Sequence, residues 1–239
     1  EIIGHTHTNM VTIAAISDTH NLHHTLNIPE CDILIHAGDA TGKGTYKECI
    51  DFLLWMSSQT QCKHKIFVPG NHDFLFQGEF REHVPGTVNV LIDQAITVQG
   101  LKIYGTPWQP FFYDWAFNGL EKRLGYEYNY KGGPGPCSPD HLHPLLSSKF
   151  SLIPDDTNII ICHGPPRIGK LDLVSRTQEH VGSVELMKAI KRLPNFLAGF
   201  YGHIHSGYGK VVDGKATHYN VSICDESYAP RNPITLITI

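Results

Sequence analysis

Val11–Ser17 (VTIAAIS) passes without a break into Asp18-Thr19-His20-Asn21. A short apolar run rich in Val, Ile and Ala, closed by polar turn residues, reads as a buried β-strand. This one delivers an acid and an imidazole at its C-terminal end. The same pattern returns four times. Ile33–Ala37 runs into Gly38-Asp39, Lys65–Pro69 into Gly70-Asn71-His72-Asp73, Asn158–Cys162 (NIIIC) into His163-Gly164, and Phe196–Tyr201 into Gly202-His203-Ile204-His205. In open α/β sheets ligands bind in the crevice beyond the carboxyl ends of the strands, so side chains from five strand ends can meet in one place.

The segments between these strands support a layered α/β fold. Tyr46–Gln59 sets Cys49, Phe52, Leu53 and Met56 at i, i+3, i+4 and i+7, the apolar stripe of an amphipathic helix. Ser183 is placed to N-cap a second helix carrying Leu186, Met187, Ile190 and Leu193. Ala95–Val98 and Lys102–Tyr104, joined through Gln99-Gly100, predict a hairpin; so do Lys210–Val212 and Ala216–Val221 around Asp213-Gly214. Ile234–Ile239 reads as a last strand, Trp108–Trp115 (WQPFFYDW) as a packed loop and Lys131–Pro136 as a second loop. Residues 1–10 read as an irregular lead-in, and 11–239 as one domain, since 239 residues supply one sizeable core more readily than two.

Composition narrows the function. With 41% hydrophobic and 18% charged residues the chain is globular. Nineteen Lys plus Arg against 23 Asp plus Glu give a net charge of −4, which leaves no basic excess to track a polynucleotide and disfavours extended nucleic acid as a partner. No run approaches the ~20 apolar residues of a membrane span, and no signal-peptide layout opens the chain, so a cytoplasmic protein without membrane contact is the expectation. The cysteines at 31, 49, 62, 137, 162 and 224 form no CxxC pair and read as reduced packing residues. The sixteen histidines nearly match the Lys plus Arg count and raise a metal hypothesis. Carboxylate, imidazole and a neutral amide oxygen together suit borderline divalent ions such as Mn²⁺, Fe²⁺ or Zn²⁺.

DxH, GD, GNHD, a lone His and GHxH, in that order, resemble the calcineurin-like metallophosphoesterase superfamily. Gly105–Asn118 (GTPWQPFFYDWAFN), His163–Pro166 (HGPP), His180–Leu186 (HVGSVEL) and Gly202–Gly209 (GHIHSGYG) resemble its MPPED branch, which is similar to class III cyclic-nucleotide phosphodiesterases. The resemblance implies a four-layer αββα sandwich of two mainly mixed β-sheets flanked by helices. It also implies two divalent ions, one held by Asp18, His20 and His205, the other by Asn71, His163 and His203, with Asp39 bridging both. A hydroxide shared by two ions is a nucleophile for in-line attack on a phosphoester. His72, next to Asn71 on a tight loop, is then placed to hold an equatorial oxygen or protonate the leaving alkoxide, with Asp73 orienting and charging its ring.

The activity so implied is hydrolysis of small phosphodiesters such as cyclic nucleotides. The alternatives are a phosphomonoesterase or protein phosphatase, or a weakly catalytic scaffold of the same fold; a protein partner is not readable. Arg167 is a candidate for a phosphate oxygen, and Trp108 for a substrate's flat face. His36 reads as a buried histidine hydrogen-bonded to backbone, Asn220 equally as a brace behind the GHIH loop or an ordinary strand residue, and His23, His24, His64, His83, His141, His143, His180 and His218 as loop or surface residues.

Overall fold

A computed structural model of the chain describes residues 10–78, 80–122 and 143–239. Residue 10 apart, the lead-in lies outside the described residues, as do the 131–136 loop, Cys137 and His141. In chain order the strands are β1 (Thr12–Ile16), β2 (Cys31–His36), β3 (Cys62–Phe67), β4 (Asn89–Val90), β5 (Gln94–Val98), β6 (Leu101–Thr106), β7 (Gln109–Pro110), β8 (Asn118–Gly119), β9 (Ile159–Cys162), β10 (Leu173–Val174), β11 (Glu179–His180), β12 (Ala198–Tyr201), β13 (Gly209–Asp213), β14 (Ala216–Asn220) and β15 (Thr235–Thr238). Helices α1 (Tyr46–Ser57), α2 (Leu146–Phe150) and α3 (Val184–Lys191) cover their faces.

Two sheets carry the fold, in the orders β15-β1-β2-β3-β4 and β13-β14-β12-β9-β6-β5. Their centres are parallel: β1 pairs with β2 and β2 with β3, while β6 pairs with β9, β9 with β12 and β12 with β14. Antiparallel β15 and β13 close the edges, as does β5.

Period-two alternation divides each central strand between two cores. Ile13 and Ala15 of β1, Ile33 and Ile35 of β2, Ile159 and Ile161 of β9, and Ala198 and Phe200 of β12 face one another between the sheets. Ala14, Ile16 and Leu34 point the other way, onto Cys49, Phe52, Leu53 and Met56 of α1, so the stripe read in the sequence is the buried face. On the far side Ile160, Cys162 and Tyr201 meet Leu146 and Phe150 of α2 and Leu186 and Ile190 of α3. The order is helix, sheet, sheet, helices: the four-layer αββα sandwich. Each fully buried Ile, Leu or Phe contributes roughly 1.5–3 kcal/mol to this stack.

Three readings are corrected. β3 begins at Cys62, ahead of Lys65, because Lys63 pairs with Asp32 at 2.6 Å and buried Lys65 donates to the carbonyl of Cys62 at 3.1 Å, so both charges are accommodated in a strand. His23 and His218 are buried, not superficial: His23 pairs with Asp51 at 3.0 Å, and His218 with the hydroxyl of Tyr201 at the same distance.

Candidate metal centre

Every chemically loaded segment lies just past the carboxyl end of a central parallel strand. Asp18 and His20 follow β1, Asp39 follows β2, Asn71 and His72 follow β3, His163 follows β9, and His203 and His205 follow β12. The backbone turns sharply to present them: Asp18, His20, Asp39 and His203 all have positive φ, between 41° and 67°. Left-handed conformations of non-glycine residues cost energy and cluster at functional sites. Gly38 explains one close approach. It has φ 101°, and a Cβ there would collide with the His163 ring.

The side chains converge. Nε2 of His205 is 3.4 Å from Asp18 Oδ1 and 3.3 Å from Nε2 of His20, which lies 4.0 Å from Asp39 Oδ2. Nε2 of His163 stands 3.3 Å from Asp39 Oδ2 and 2.9 Å from Asn71 Oδ1, and the His203 ring centre is 5.1 Å from that of His163. Two groups, Asp18 with His20 and His205, and Asp39 with His163 and His203, each gather three donor atoms within 4.8 Å of one another.

Tautomers follow from the partners. Nδ1 of His20, His163 and His205 lies 3.3, 2.9 and 2.9 Å from the carbonyls of Thr41, Ala37 and Asp225. A carbonyl only accepts, so each Nδ1 carries a proton and each Nε2 is the nitrogen turned to the cluster, its lone pair free for a cation once any second proton has left. With no cation bound, a second proton on Nε2 of His163 bridges it to the oxygens of Asp39 and Asn71, and a metal ion would take that proton's place. Such an arrangement is favourable only with positive charge among the acceptors. Burial alone would raise Asp18, but hydrogen-bonded His205, with His163 and His20, holds it well below the ordinary carboxylate range. Burial opposes charge on His163 too, yet Asp39 and then Asp18 lift it to about 9. Burial, then the like charge of His163, pushes His203 down to about 4. The donors fit borderline divalent cations.

The outer contacts hold the geometry. Both oxygens of Asp18 accept from the backbone N–H of His203 at 3.1 Å, and Oδ2 also accepts from Ser222 Oγ at 2.8 Å. The buried amide of Asn220 donates to the carbonyls of Leu171, Gly202 and Ile204 and so braces the GHIH loop. His36 is buried, accepts from Gly38 N at 3.3 Å and lies 2.9 Å from Thr19 Oγ1; burial lowers it to about 3.

His72 stands beside the cluster, its Nε2 4.0 Å from Asp39 Oδ2 and its Nδ1 2.7 Å from the carbonyl of Gly42. Its orientation by Asp73 is corrected: the Asp73 carboxylate accepts from Gly70 N at 2.8 Å and from N and Oγ1 of Thr41 at 3.0 and 2.7 Å, tying two loops together. Adjacent residues on a tight turn point apart, and the backbone donors capture the carboxylate first. The two substrate candidates are displaced as well. Arg167 is exposed, and its N–H donates to Ser183 O. A cleft of about 600 Å³ at His203 and His205 is lined instead by Arg176, Ser206, Glu226 and Tyr228. The Trp108 indole donates to Asp93 at 2.9 Å beneath Lys149, while Trp115 lies over His72 with ring centres 4.3 Å apart. Arg176, Trp115, Tyr228 and Ser222 were not singled out in the sequence; for Trp115 the aromatic run was the available signal, and for the others none was.

Comparison with known proteins agrees with this geometry. The calcineurin-like phosphoesterase family matches residues 11–207. Human metallophosphoesterase domain-containing protein 1 is 34% identical over 249 residues, covering 94% of this chain and 69% of the relative. UPF0046 protein K07C11.7 of Caenorhabditis elegans is 28% identical over 236 residues, 92% of this chain and 72% of that one. The crystal structure of phosphopantetheinyl hydrolase from Mycobacterium tuberculosis superposes with a TM-score of 0.58 at 16% identity over 95% of each chain, a likeness of fold. No helix among the described residues is long and apolar enough to cross a membrane.

Proposed function

The chain belongs to the calcineurin-like phosphoesterase family, and from that premise we propose a phosphodiesterase that works with two divalent ions on small substrates, cyclic nucleotides among them, residues 11–239 acting as one domain. One observation carries the reading. Imidazole rings fixed by backbone carbonyls bring Nε2 onto two buried carboxylates, at 3.4 Å for His205 and Asp18 and 3.3 Å for His163 and Asp39. Asp18, His20 and His205 would hold one ion and Asn71, His163 and His203 the other, with Asp39 common to both. When bound, paired divalent ions supply Lewis-acid charge for the phosphoryl oxygens and acidify water.

The chain's own residues do the remainder. His72 keeps Nδ1–H on the Gly42 carbonyl, so Nε2 gains or releases a proton without the ring losing its anchor. That atom serves the leaving alkoxide or an equatorial phosphoryl oxygen. Arg176, exposed on the rim of the cleft at His203 and His205, takes an anionic part of the substrate, the task assigned to Arg167 from sequence.

Turnover of bis-p-nitrophenyl phosphate, p-nitrophenyl phosphate and cAMP, measured beside the metal content of the purified protein, tests the proposal. Metal-dependent hydrolysis of the diester and of cAMP in preference to the monoester is expected. Preference for the monoester would move the assignment to a phosphomonoesterase, and bound metal with no turnover would move it to a scaffold.

A further inference from the structure

We propose that the aromatic groove beside His72 is a subsite for an uncharged planar ring on the leaving side of the substrate, a nucleobase in a nucleotide. The inference rests on the phosphodiesterase reading and specifies which side of the phosphoryl group the organic part occupies. The groove, about 530 Å³, is lined by Phe74, Phe112, Tyr113, Asp114 and Trp115. Three of these rings are open to water, Phe74 at 39%, Phe112 at 54% and Tyr113 at 52%. Contiguous exposed rings at a concave surface mark a binding site.

The wall is built in advance. Ala116 N donates to the carbonyl of Asn71 at 3.2 Å, which ties the aromatic segment to the loop carrying His72. Buried Asn118 donates to Tyr113 O at 2.6 Å and accepts from Phe112 N at 3.3 Å, and buried Gln109 donates to Ala116 O at 2.8 Å. A wall pinned from behind orders little on binding, so stacking is retained as affinity.

Position and charge select the occupant. The planes of Phe74 and Trp115 are 34° apart with centres at 5.9 Å, and those of Trp115 and His72 are 34° apart at 4.3 Å, so the rings lead inward to His72. A base seated against Trp115 attaches to the substrate on the side where His72 serves the leaving oxygen. Asp114 in the lining repels a second phosphate and accepts from an exocyclic amine. The cleft at His203 and His205 carries Arg176 as well as Glu226, so it offers an anion the cation that the groove lacks.

AMP and ribose 5-phosphate, which differ only in the base, are to be compared as inhibitors of bis-p-nitrophenyl phosphate turnover. AMP should inhibit about tenfold more strongly, the scale of one stacked base. Trp115→Leu should abolish that advantage while leaving inhibition by ribose 5-phosphate unchanged. Since Trp115 lies against His72, Phe74→Leu is the second variant, and it should also shrink the AMP advantage. Equal inhibition by the two ligands in the wild type, or variants that weaken both alike, would overturn the subsite. If the metal-loaded protein turns over no diester, the phosphodiesterase reading is what fails. Calorimetry with the same two ligands then decides the groove: tighter AMP binding lost in Trp115→Leu supports it, and equal binding overturns it.

Discussion

His72 is held by a backbone carbonyl, and this separates its position from its proton. Because Gly42 O fixes Nδ1, replacing the ring removes a proton carrier without unpinning a loop, which Asp73 holds independently through Gly70 and Thr41. His72→Ala is expected to fold and bind metal as the wild type does, while kcat falls about 10²–10⁴-fold, the usual contribution of a positioned acid. Unchanged kcat in a metal-replete variant would remove His72 from the mechanism. The seven centre residues were legible in the sequence because each follows an apolar run within a few positions. His23 and His218 were misread because what buries them is remote: Asp51 lies 28 positions from His23, and Tyr201 lies 17 from His218.

Helix α1 joins the second strand to the third and is anchored at the end nearest the site. Thr45 and Glu48 form a reciprocal capping box, Thr45 N donating to Glu48 Oε2 at 2.9 Å. Oε1 of Glu48 also accepts from Asn21 Nδ2 at 2.6 Å, beside His20. Burial alone would raise this carboxyl, but the bonds from Thr45, Asn21 and Lys43 outweigh it and lower it to about 2. A carboxyl lowered on folding adds stability above its unfolded value, and that stability is lost as pH falls through the folded value. Glu48→Ala should therefore destabilise the protein by about 1 kcal/mol at pH 7, and the difference from wild type should close between pH 5 and pH 2. Chemical denaturation across that range reads it; a constant gap would show that the charge is irrelevant. The helix stripe and central strands were legible because each pattern is local. The short α2 was not anticipated: it has five residues, and its N-cap makes no side-chain bond.

At the scale of the molecule, the centre draws residues from both sheets, so metal bound there would fasten one sheet to the other. Without it, only protons shared between imidazole and carboxylate offset the buried charge across that seam. Removal of metal by chelation should lower the melting temperature by roughly 5–10 °C, the shift for a few kcal/mol of binding free energy in a chain of this size. Mn²⁺ should restore it; scanning calorimetry that finds the chelated and loaded forms equally stable would argue against a structural contribution from the ions. The carboxylate of Asp18 is completed by Ser222, 204 positions later. A nascent chain therefore presents Asp18 with the hydroxyl of its neighbour Ser17 alone until the far side of the pocket has been synthesised. A product truncated after Tyr219 would keep DxH, GD, GNHD and GHIH intact while leaving Asp18 with one of its two hydroxyl donors.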